Sequence, residues 1–254
     1  MTGIEARAES ATGIIALARP ARHNALLPAD RVAMLAALRR FEATATVRTV
    51  LIRAEGPNFC TGIDLEAFQA LRQDSAALAA FLADGHALLA ALEASPLPVV
   101  VAVRGLCLAG GLELALACDI VLAAEGARFG DQHARYGLLP AWGGTQRLPR
   151  AVGLPRALDL MLTGRWIDAA EAARWGLVSH IVPDTALEDT AMATCEALAA
   201  GSAPALAAMK RLAREGAGPE AEAEAAFALL PGPDVTEGLD AFAGRRPPRF
   251  APRG

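Results

Sequence analysis

In CLAGGLELALACDIV, residues 107–121, one carboxylate lies inside the run of leucines and alanines that precedes Cys118. Gly110 and Gly111 come just before this carboxylate, which belongs to Glu113. A glycine lowers helix stability by about 1 kcal/mol relative to alanine, and a buried carboxylate is costly unless it is paired or hydrogen-bonded. A stretch that accepts both penalties is a candidate functional site.

The two glycines have a direct chemical use if a helix begins there. The first N–H groups of a helix lack internal partners and lie at the positive end of the helix dipole. Glycines carry no Cβ, so another group can approach these N–H groups closely. Such donors can bind an anion or a developing oxyanion, and Glu113 would lie within reach of it.

A second segment, GPNFCTGIDLEAF at residues 56–68, has the same character. It turns at Gly62 and is predicted to begin a helix near Asp64, so the N–H of Ile63 could reach the same place. Two convergent donors beside a carboxylate suit a reaction through an enolate or a tetrahedral oxyanion. A plainer alternative also fits, in which the glycines serve packing and Glu113 faces water.

Strands and helices alternate around these groups. Predicted strands cover residues 13–20, 47–56, 96–105, 120–130 (as two short pieces) and 177–183. Predicted helices cover residues 28–43, 74–95, 148–164, 168–176 and most of the chain after 186. The alternation predicts an α/β core over residues 1–190, followed by a helical segment over residues 191–254.

The bulk composition narrows the classes of function. The chain has 254 residues, of which 54% are hydrophobic, and this is enough for one large core. A net charge of −4 argues against a nucleic-acid binder. The four cysteines form no CxxC pair, so we expect them to be reduced, in a cytoplasmic protein.

Several other classes are disfavoured by missing signals. The first residues do not have the pattern of a secretory signal, and no run reaches the ~18 apolar residues of a membrane span. The sequence contains no GxSxG, HExxH or Walker A motif, and no GxGxxG after a strand. We therefore expect no membrane association and no metal site.

Five segments share their order and spacing with a known family. They are RPARHNAL (19–26), VLIRAEGPNFCTGIDL (50–65), PVVVAVRGLCLAGGLELALACDIVLAAEGARFG (98–130), GLLPAWGGTQRLPRAVG (137–153) and LTGRWIDAAEAARWGLVSHIVP (162–183). Together they resemble the enoyl-CoA hydratase/isomerase, or crotonase, superfamily. The resemblance covers roughly residues 10–185.

The resemblance implies a fold and a mechanism. The fold would be a spiral of ββα units followed by a C-terminal helical segment that builds trimers, often paired into hexamers. An acyl-CoA thioester carbonyl would lie between two backbone N–H groups, here those of Ile63 and Gly110, which stabilise an enolate. Glu113 would be one of the two acid/base carboxylates of the hydratases. No separate cofactor is implied, because coenzyme A is part of the substrate.

The resemblance also implies where the substrate binds. TGIDL (61–65) would border the adenine end of CoA, with Arg22 near the phosphates, and Arg245 would reach the CoA of a neighbouring subunit. Tyr136 and Trp142 would shape the acyl pocket, although core packing is an alternative role for both. The implied CoA- and substrate-binding residues are Arg22, Gly62, Asp64, Leu65, Gly111, Tyr136, Trp142 and Arg245.

One position departs from the family's pattern. The second hydratase carboxylate should fall at position 133, where this chain has His133. Asp131 is expected on the opposite face of a short extended or turn segment. An imidazole can gain and lose a proton near neutral pH, so His133 could be oriented by Glu113 or share a water with it. A role limited to lining the pocket or binding a backbone carbonyl is the alternative.

The resemblance therefore implies an enoyl-CoA hydratase with Glu113 as the principal acid/base and His133 assisting it. The exchange at position 133 leaves an isomerase, an acyl-CoA thioester hydrolase or another lyase as alternatives. These enzymes use the same oxyanion site with different side chains. A non-catalytic acyl-CoA binder is a third possibility, which the retention of Glu113 beside both oxyanion positions disfavours.

Overall fold

The computed structural model of the protein describes residues 2–253. The strands in this range are β1 (Ile4–Glu9), β2 (Thr12–Leu17), β3 (Thr49–Ala54), β4 (Val99–Val103), β5 (Leu106–Leu108), β6 (Ile120–Ala124), β7 (Arg128–Gly130), β8 (Trp166–Asp168) and β9 (His180–Val182). The longer helices up to the middle of the chain are α1 (Pro28–Ala43), α2 (Leu65–Leu71), α3 (Ser75–Ala94), α4 (Gly110–Ala117), α5 (Gly144–Val152) and α6 (Leu154–Thr163). The remaining helices are α7 (Ala169–Trp175), α8 (Leu187–Ala199), α9 (Ala203–Glu215), α10 (Gly218–Leu229) and α11 (Pro233–Ala243).

A six-stranded sheet lies at the centre of the molecule. Its strand order is β1-β2-β3-β4-β6-β9, and every pair is parallel except β1 with β2. Successive side chains of a strand point to opposite faces, and both faces are covered here. Val99 and Val101 of β4 pack in the larger core with α1, α3 and α4, whereas Val100 packs with Leu187 and Cys195 of α8. Burial on both sides accounts for the continuous apolar strands.

A smaller sheet has three strands in the order β5-β7-β8. Its strands β5 and β7 directly follow the central strands β4 and β6 in the sequence. β4, β5 and α4 form one unit that contributes a strand to each sheet and then a helix. β6, β7 and α5 repeat the pattern. An isolated bridge between Cys60 and Cys107 connects the segment after β3 to the smaller sheet. The result is the expected spiral of ββα units, and it brings the segment before α2 beside the segment before α4.

The predicted elements agree with the structure except at a few places. The two long helices predicted over residues 28–43 and 74–95 are α1 and α3. The helix predicted over residues 148–164 is instead two helices, because Gly153 adopts φ +82° between α5 and α6. The strands β1, β5 and β8 were not predicted.

The chain's single lysine, together with Arg214, attaches α9 to the core. Lys210 Nζ lies 2.7 Å from Asp119 Oδ2, and it donates hydrogen bonds to the carbonyl oxygens of Leu92 and Leu97 at 2.8 and 3.0 Å. Burial lowers the pKa of Lys210, although Asp119 opposes this shift. The boundary predicted between residues 190 and 191 falls within α8, which packs on the central sheet, and the division stays a prediction.

Among the described residues, α3 is the one helix long and apolar enough to cross a membrane by length and composition. Its side chains Phe81, Leu88 and Leu92 are nevertheless buried in the larger core. One face of α3 therefore owes its apolar composition to packing against α1 and α4.

Candidate active site

Two backbone turns approach each other closely at the predicted oxyanion position. A Cβ placed on Gly62 would lie 3.1 Å from the backbone nitrogen of Gly110, and Gly62 has φ +99°. A Cβ on Gly111 would overlap the carbonyl oxygen of Cys60. Glycine is required at position 62 both for its backbone angle and for the space. At the glycines that the sequence singled out, Gly62 and Gly111, the backbones of two loops thus pack directly against each other with no side chain between them.

Two N–H groups at this contact are available to a ligand. The N–H groups of Ile63 and Gly110 donate to no acceptor within residues 2–253. Gly110 is the first residue of α4, so its N–H also lies at the positive end of that helix. Ile63 and Gly110 both line one cavity. The structure therefore brings together the two donors that the sequence predicts.

Strained backbone precedes the second donor. Ala109, between β5 and α4, has φ +50° and ψ −119°, a conformation that residues with a Cβ rarely adopt. Such strain costs on the order of 1–3 kcal/mol and is concentrated at functional sites. The hydrogen bond from Ala109 N to the carbonyl oxygen of Gly130, at 3.0 Å, helps to hold the turn.

Glu113 is fixed by the start of another helix. Its side chain is almost completely buried, with 2% of the residue exposed. Oε1 accepts hydrogen bonds from the backbone N–H groups of Trp142 at 2.9 Å and Gly144 at 2.8 Å. Gly144 is the first residue of α5, so the carboxylate lies at the positive end of this helix. Glu113 therefore does not face water, and the alternative of a solvated helix-start acid is wrong.

The second oxygen of Glu113 faces the imidazole of His133. Oε2 lies 3.7 Å from His133 Nε2, which is longer than a hydrogen bond and leaves both atoms free to contact a third group. Burial raises the pKa of Glu113, while the charge of His133 and the two N–H donors partly oppose this rise. A carboxyl group with a raised pKa is suited to both accepting and returning a proton.

The expected position of Asp131 is wrong. Its carboxylate does not lie on the far side of the segment, because residues 133–136 form a 3₁₀ turn that brings the His133 ring back over it. Asp131 Oδ1 accepts the backbone N–H of His133 at 3.0 Å and lies 2.9 Å from His133 Nδ1. Asp131, His133 and Glu113 thus form a buried row, with the imidazole between two carboxylates.

Two connected cavities converge on these groups. The inner cavity has a volume of about 260 Å³ and includes Glu113. The outer cleft has a volume of about 580 Å³ and opens toward Arg22. Both are lined by Ile63 and His133. The wall of the inner cavity is otherwise apolar, formed by Phe68, Leu78, Phe81, Leu82, Leu138, Leu139, Ala141 and Trp142.

Arg22 and Asp64 lie at the outer cleft, as predicted, but they also contact each other. Asp64 caps α2 by accepting the N–H of Ala67 at 3.1 Å, and it lies 3.0 Å from Arg19 and 3.7 Å from Arg22. Although burial raises the pKa of Asp64, the Ala67 hydrogen bond and the two arginines lower it overall. Asp64 therefore holds the cleft wall in place, while Arg22 remains half exposed at its mouth.

The remaining predicted residues are divided between the two cavities and the surface. Leu65 and Tyr136 line the outer cleft and are largely exposed, so Tyr136 does not shape the inner cavity. Trp142 lines the inner cavity and is also part of the core. Arg245 follows α11 at the surface and lines neither cavity.

Sequence reasoning missed three contributions to this site. The N–H groups of Trp142 and Gly144 bind Glu113, and the carboxylate of Asp131 binds His133. The pair Gly143-Gly144 at the start of a helix repeats the signal that identified Gly110, and it could have been interpreted in the same way. The role of Asp131 had no comparable signal.

Comparison with known proteins agrees with this geometry. Residues 7–253 match the family model described as enoyl-CoA hydratase/isomerase. The chain belongs to the enoyl-CoA hydratase/isomerase family. A protein of Rhizobium meliloti described as a probable enoyl-CoA hydratase is 37% identical over 248 residues, which cover 95% of each chain. One of Rhodobacter capsulatus with the same description is 38% identical and covers 94% of each chain.

A solved structure of the same family confirms the fold. The enoyl-CoA hydratase of Bacillus anthracis matches with a TM-score of 0.92 and 32% sequence identity, covering 98% of each chain. The predicted crotonase-like architecture, including the helices at the end of the chain, is therefore confirmed, and the chain is an enzyme of the hydratase/isomerase type.

The buried position of Glu113 predicts a pH-dependent stability. Because burial raises the pKa of Glu113 in the folded protein, ionising this group as the pH rises costs folding free energy. We expect Glu113→Gln to raise the Tm at about pH 8, because the amide keeps the shape and the Oε1 acceptor but has no charge. The difference should shrink toward about pH 4, where the carboxyl group of the wild type is mostly protonated in both the folded and the unfolded state.

Differential scanning calorimetry across this pH range measures the effect. Glu5→Gln, at an exposed position of β1, serves as the control for the loss of one carboxylate. A Tm difference for Glu113→Gln that stays constant with pH, or that grows as the pH falls, would contradict the expectation.

Proposed function

We propose that the protein is an enoyl-CoA hydratase, which adds water to the double bond of a 2-enoyl-CoA. The observation that carries the proposal is a pair of N–H groups, those of Ile63 and Gly110, that have no acceptor among residues 2–253 and share one largely apolar cavity with Glu113 and His133. The descriptions of the Rhizobium meliloti and Rhodobacter capsulatus relatives support it.

The thioester carbonyl would lie between the N–H groups of Ile63 and Gly110. As the water oxygen bonds to Cβ, the π electrons of the double bond move toward the thioester, and negative charge grows on its oxygen. Preformed N–H donors in a water-poor cavity stabilise that charge more than bulk water does. The two donors thus stabilise the enolate oxygen more strongly than the carbonyl oxygen of the bound substrate.

Glu113 and His133 would handle the protons. A water molecule can lie within hydrogen-bond distance of both Oε2 and Nε2, because these atoms are 3.7 Å apart. The pair takes one proton from the water and returns one to Cα, so the protein is unchanged after the cycle. Because both groups lie together in the cavity, the hydroxyl and the proton are added to the same face of the double bond.

The two cavities suit the two parts of an acyl-CoA. The apolar inner cavity would take the acyl chain, and the outer cleft would take the CoA, with Arg22 near the phosphates. The cavities meet at Ile63 and His133, where the thioester would lie. CoA is then part of the substrate, and the proposed enzyme uses no further cofactor or metal. We also propose that it is a cytoplasmic enzyme.

The presence of histidine instead of a carboxylate at position 133 supports an alternative reaction within the same family. The family resemblance implies a second carboxylate at position 133, where this chain has His133, and an isomerase, a thioester hydrolase or another lyase could use the same oxyanion site. A thioester hydrolase would release free CoA, and an isomerase would move the double bond without adding water. A protein that only binds acyl-CoA would give no product.

Product analysis with crotonyl-CoA and longer 2-enoyl-CoAs tests the proposal. We expect loss of the conjugated thioester absorbance and formation of 3-hydroxyacyl-CoA, identified by mass. Glu113→Gln should lower kcat by about 10²–10⁴-fold, the usual contribution of a positioned acid/base. Near-full turnover by this variant would refute the mechanism, and free CoA or a migrated double bond would select the alternative.

The donor pair can be tested through Gly62. A Cβ at this position would crowd the nitrogen of Gly110, so we expect Gly62→Ala to lower kcat by about 10²-fold, comparable to the loss of one oxyanion donor. Gly216→Ala is the matched control, since Gly216 also has a positive φ of +60° but has open space around it. Equal loss of activity in both variants would mean that backbone strain alone, rather than the crowded donor, causes the effect.

We also propose a homotrimer, or a hexamer made of two trimers. Several large apolar side chains of the terminal helices are exposed in the single chain, with Phe227 at 78% and Phe242 at 84%. Association would cover them, and would bring Arg245 toward the CoA of a neighbour. Sedimentation velocity at micromolar concentration should show a trimer or hexamer, and a stable monomer would overturn this part of the proposal.

A further inference from the structure

The carboxylate of Asp131 is buried without a counter-charge other than the imidazole. Asp131 is 2% exposed, and among the residues that the structure describes no arginine or lysine lies within ion-pair distance of it. A buried carboxylate is costly unless it is hydrogen-bonded. Among the described residues, the hydrogen-bond partners of its carboxylate are the backbone N–H and the Nδ1 of His133. The position of Asp131 is therefore explained by His133.

The contact between Asp131 and His133 defines which ring nitrogen carries a proton. An ionised carboxylate has no hydrogen to donate, so it can only accept. Nδ1 of His133 lies 2.9 Å from Asp131 Oδ1, and this hydrogen bond requires a proton on Nδ1. The proton that the ring gains and loses is then the one on Nε2, the nitrogen that faces Glu113.

The segment that carries both residues is held in place. Gln132, between them, donates a hydrogen bond from Nε2 to the carbonyl oxygen of Gly164 at 2.7 Å. The carbonyl oxygen of His133 accepts the N–H of Leu138 at 2.9 Å. Because the backbone is anchored on both sides, the ring has little freedom to turn away from Asp131, and Nε2 stays directed into the cavity.

We infer that Asp131 is a positioning residue, which holds His133 in the tautomer protonated at Nδ1 and so presents Nε2 to the reacting water. This inference rests on the proposed hydration. In the cycle, the water gives one proton to Glu113 Oε2, and protonated His133 gives its Nε2 proton to Cα. The proton on Oε2 then passes to Nε2 and restores the starting state, so one water is consumed and no other reactant is needed. Asp131 stabilises the imidazolium without exchanging a proton itself.

The tautomer can be observed directly. Protein labelled with ¹⁵N-histidine gives long-range ¹H–¹⁵N correlation spectra in which the two ring nitrogens are distinguished, and His133→Gln identifies the signals of His133. In the wild type we expect the neutral ring to carry its proton on Nδ1, with Nε2 unprotonated. A neutral wild-type ring protonated at Nε2 instead would overturn the inference, and this result requires no variant of Asp131 to fold.

The variant Asp131→Asn tests the consequence for catalysis. The amide removes the charge and offers an N–H in place of one acceptor, so we expect a mixture of tautomers and a fall of kcat of about 10²-fold or more, with KM changed less than about threefold. Asp168→Asn is the matched control, because asparagine caps α7 as well as aspartate does. A variant with unchanged tautomer and unchanged kcat would overturn the inference, as would a loss confined to KM.

The two proposals fail in different ways. If the wild type forms no 3-hydroxyacyl-CoA from any 2-enoyl-CoA, the proposed hydration is wrong. The spectra of His133 still decide the role of Asp131 in that case, since they depend on the ring and its neighbour and not on the substrate.

Discussion

The site depends on one electrostatic constraint, the placement of the Glu113 carboxylate at the N-terminus of α5. A carboxylate this deeply buried would be expelled or neutral without donors, and the N–H groups of Trp142 and Gly144 supply two. Only Oε1 is occupied by these bonds, so Oε2 remains for chemistry. The start of α4 leaves the N–H of Gly110 without a partner among residues 2–253, and under the proposed function this N–H would bind the substrate oxygen. In that proposal, two helix ends hold the two charged groups of one reaction.

Bringing these helix ends together requires close backbone packing, which the spiral of ββα units provides. The turns before α2 and α4 touch at Gly62 and Gly110, where no side chain would fit between them. Ala109 adopts a strained conformation in the same turn. Strain of this kind persists only where the surroundings hold it, and here β5, α4 and the hydrogen bond to Gly130 do so.

Much of this could be predicted from the sequence. Continuous apolar strands such as β4 and amphipathic helices such as α1 have clear local signals, and the glycines marked both turns of the proposed oxyanion site. The strand β1 was missed because the apolar residues of IEARAE, one isoleucine and two alanines, give only a weak alternation, and the strand lies at the sheet edge, paired only with β2. The N–H donors to Glu113 were missed although Gly143-Gly144 marks the helix start there, because the sequence does not show which carboxylate such a helix start faces. Asp131 was misplaced because the alternation of an extended segment does not apply to a 3₁₀ turn.

The imidazole at position 133 and the carboxylate at position 131 are physically coupled. A glutamate at position 133 would place a third carboxylate beside Asp131 and Glu113, and buried like charges disfavour ionisation of one another. An imidazole avoids this repulsion, since it donates from Nδ1 to Asp131 and can carry a positive charge between the two anions. In the proposed mechanism, the imidazole therefore transfers the proton at this position in place of a carboxylate. Its direction then depends on Asp131, two residues away.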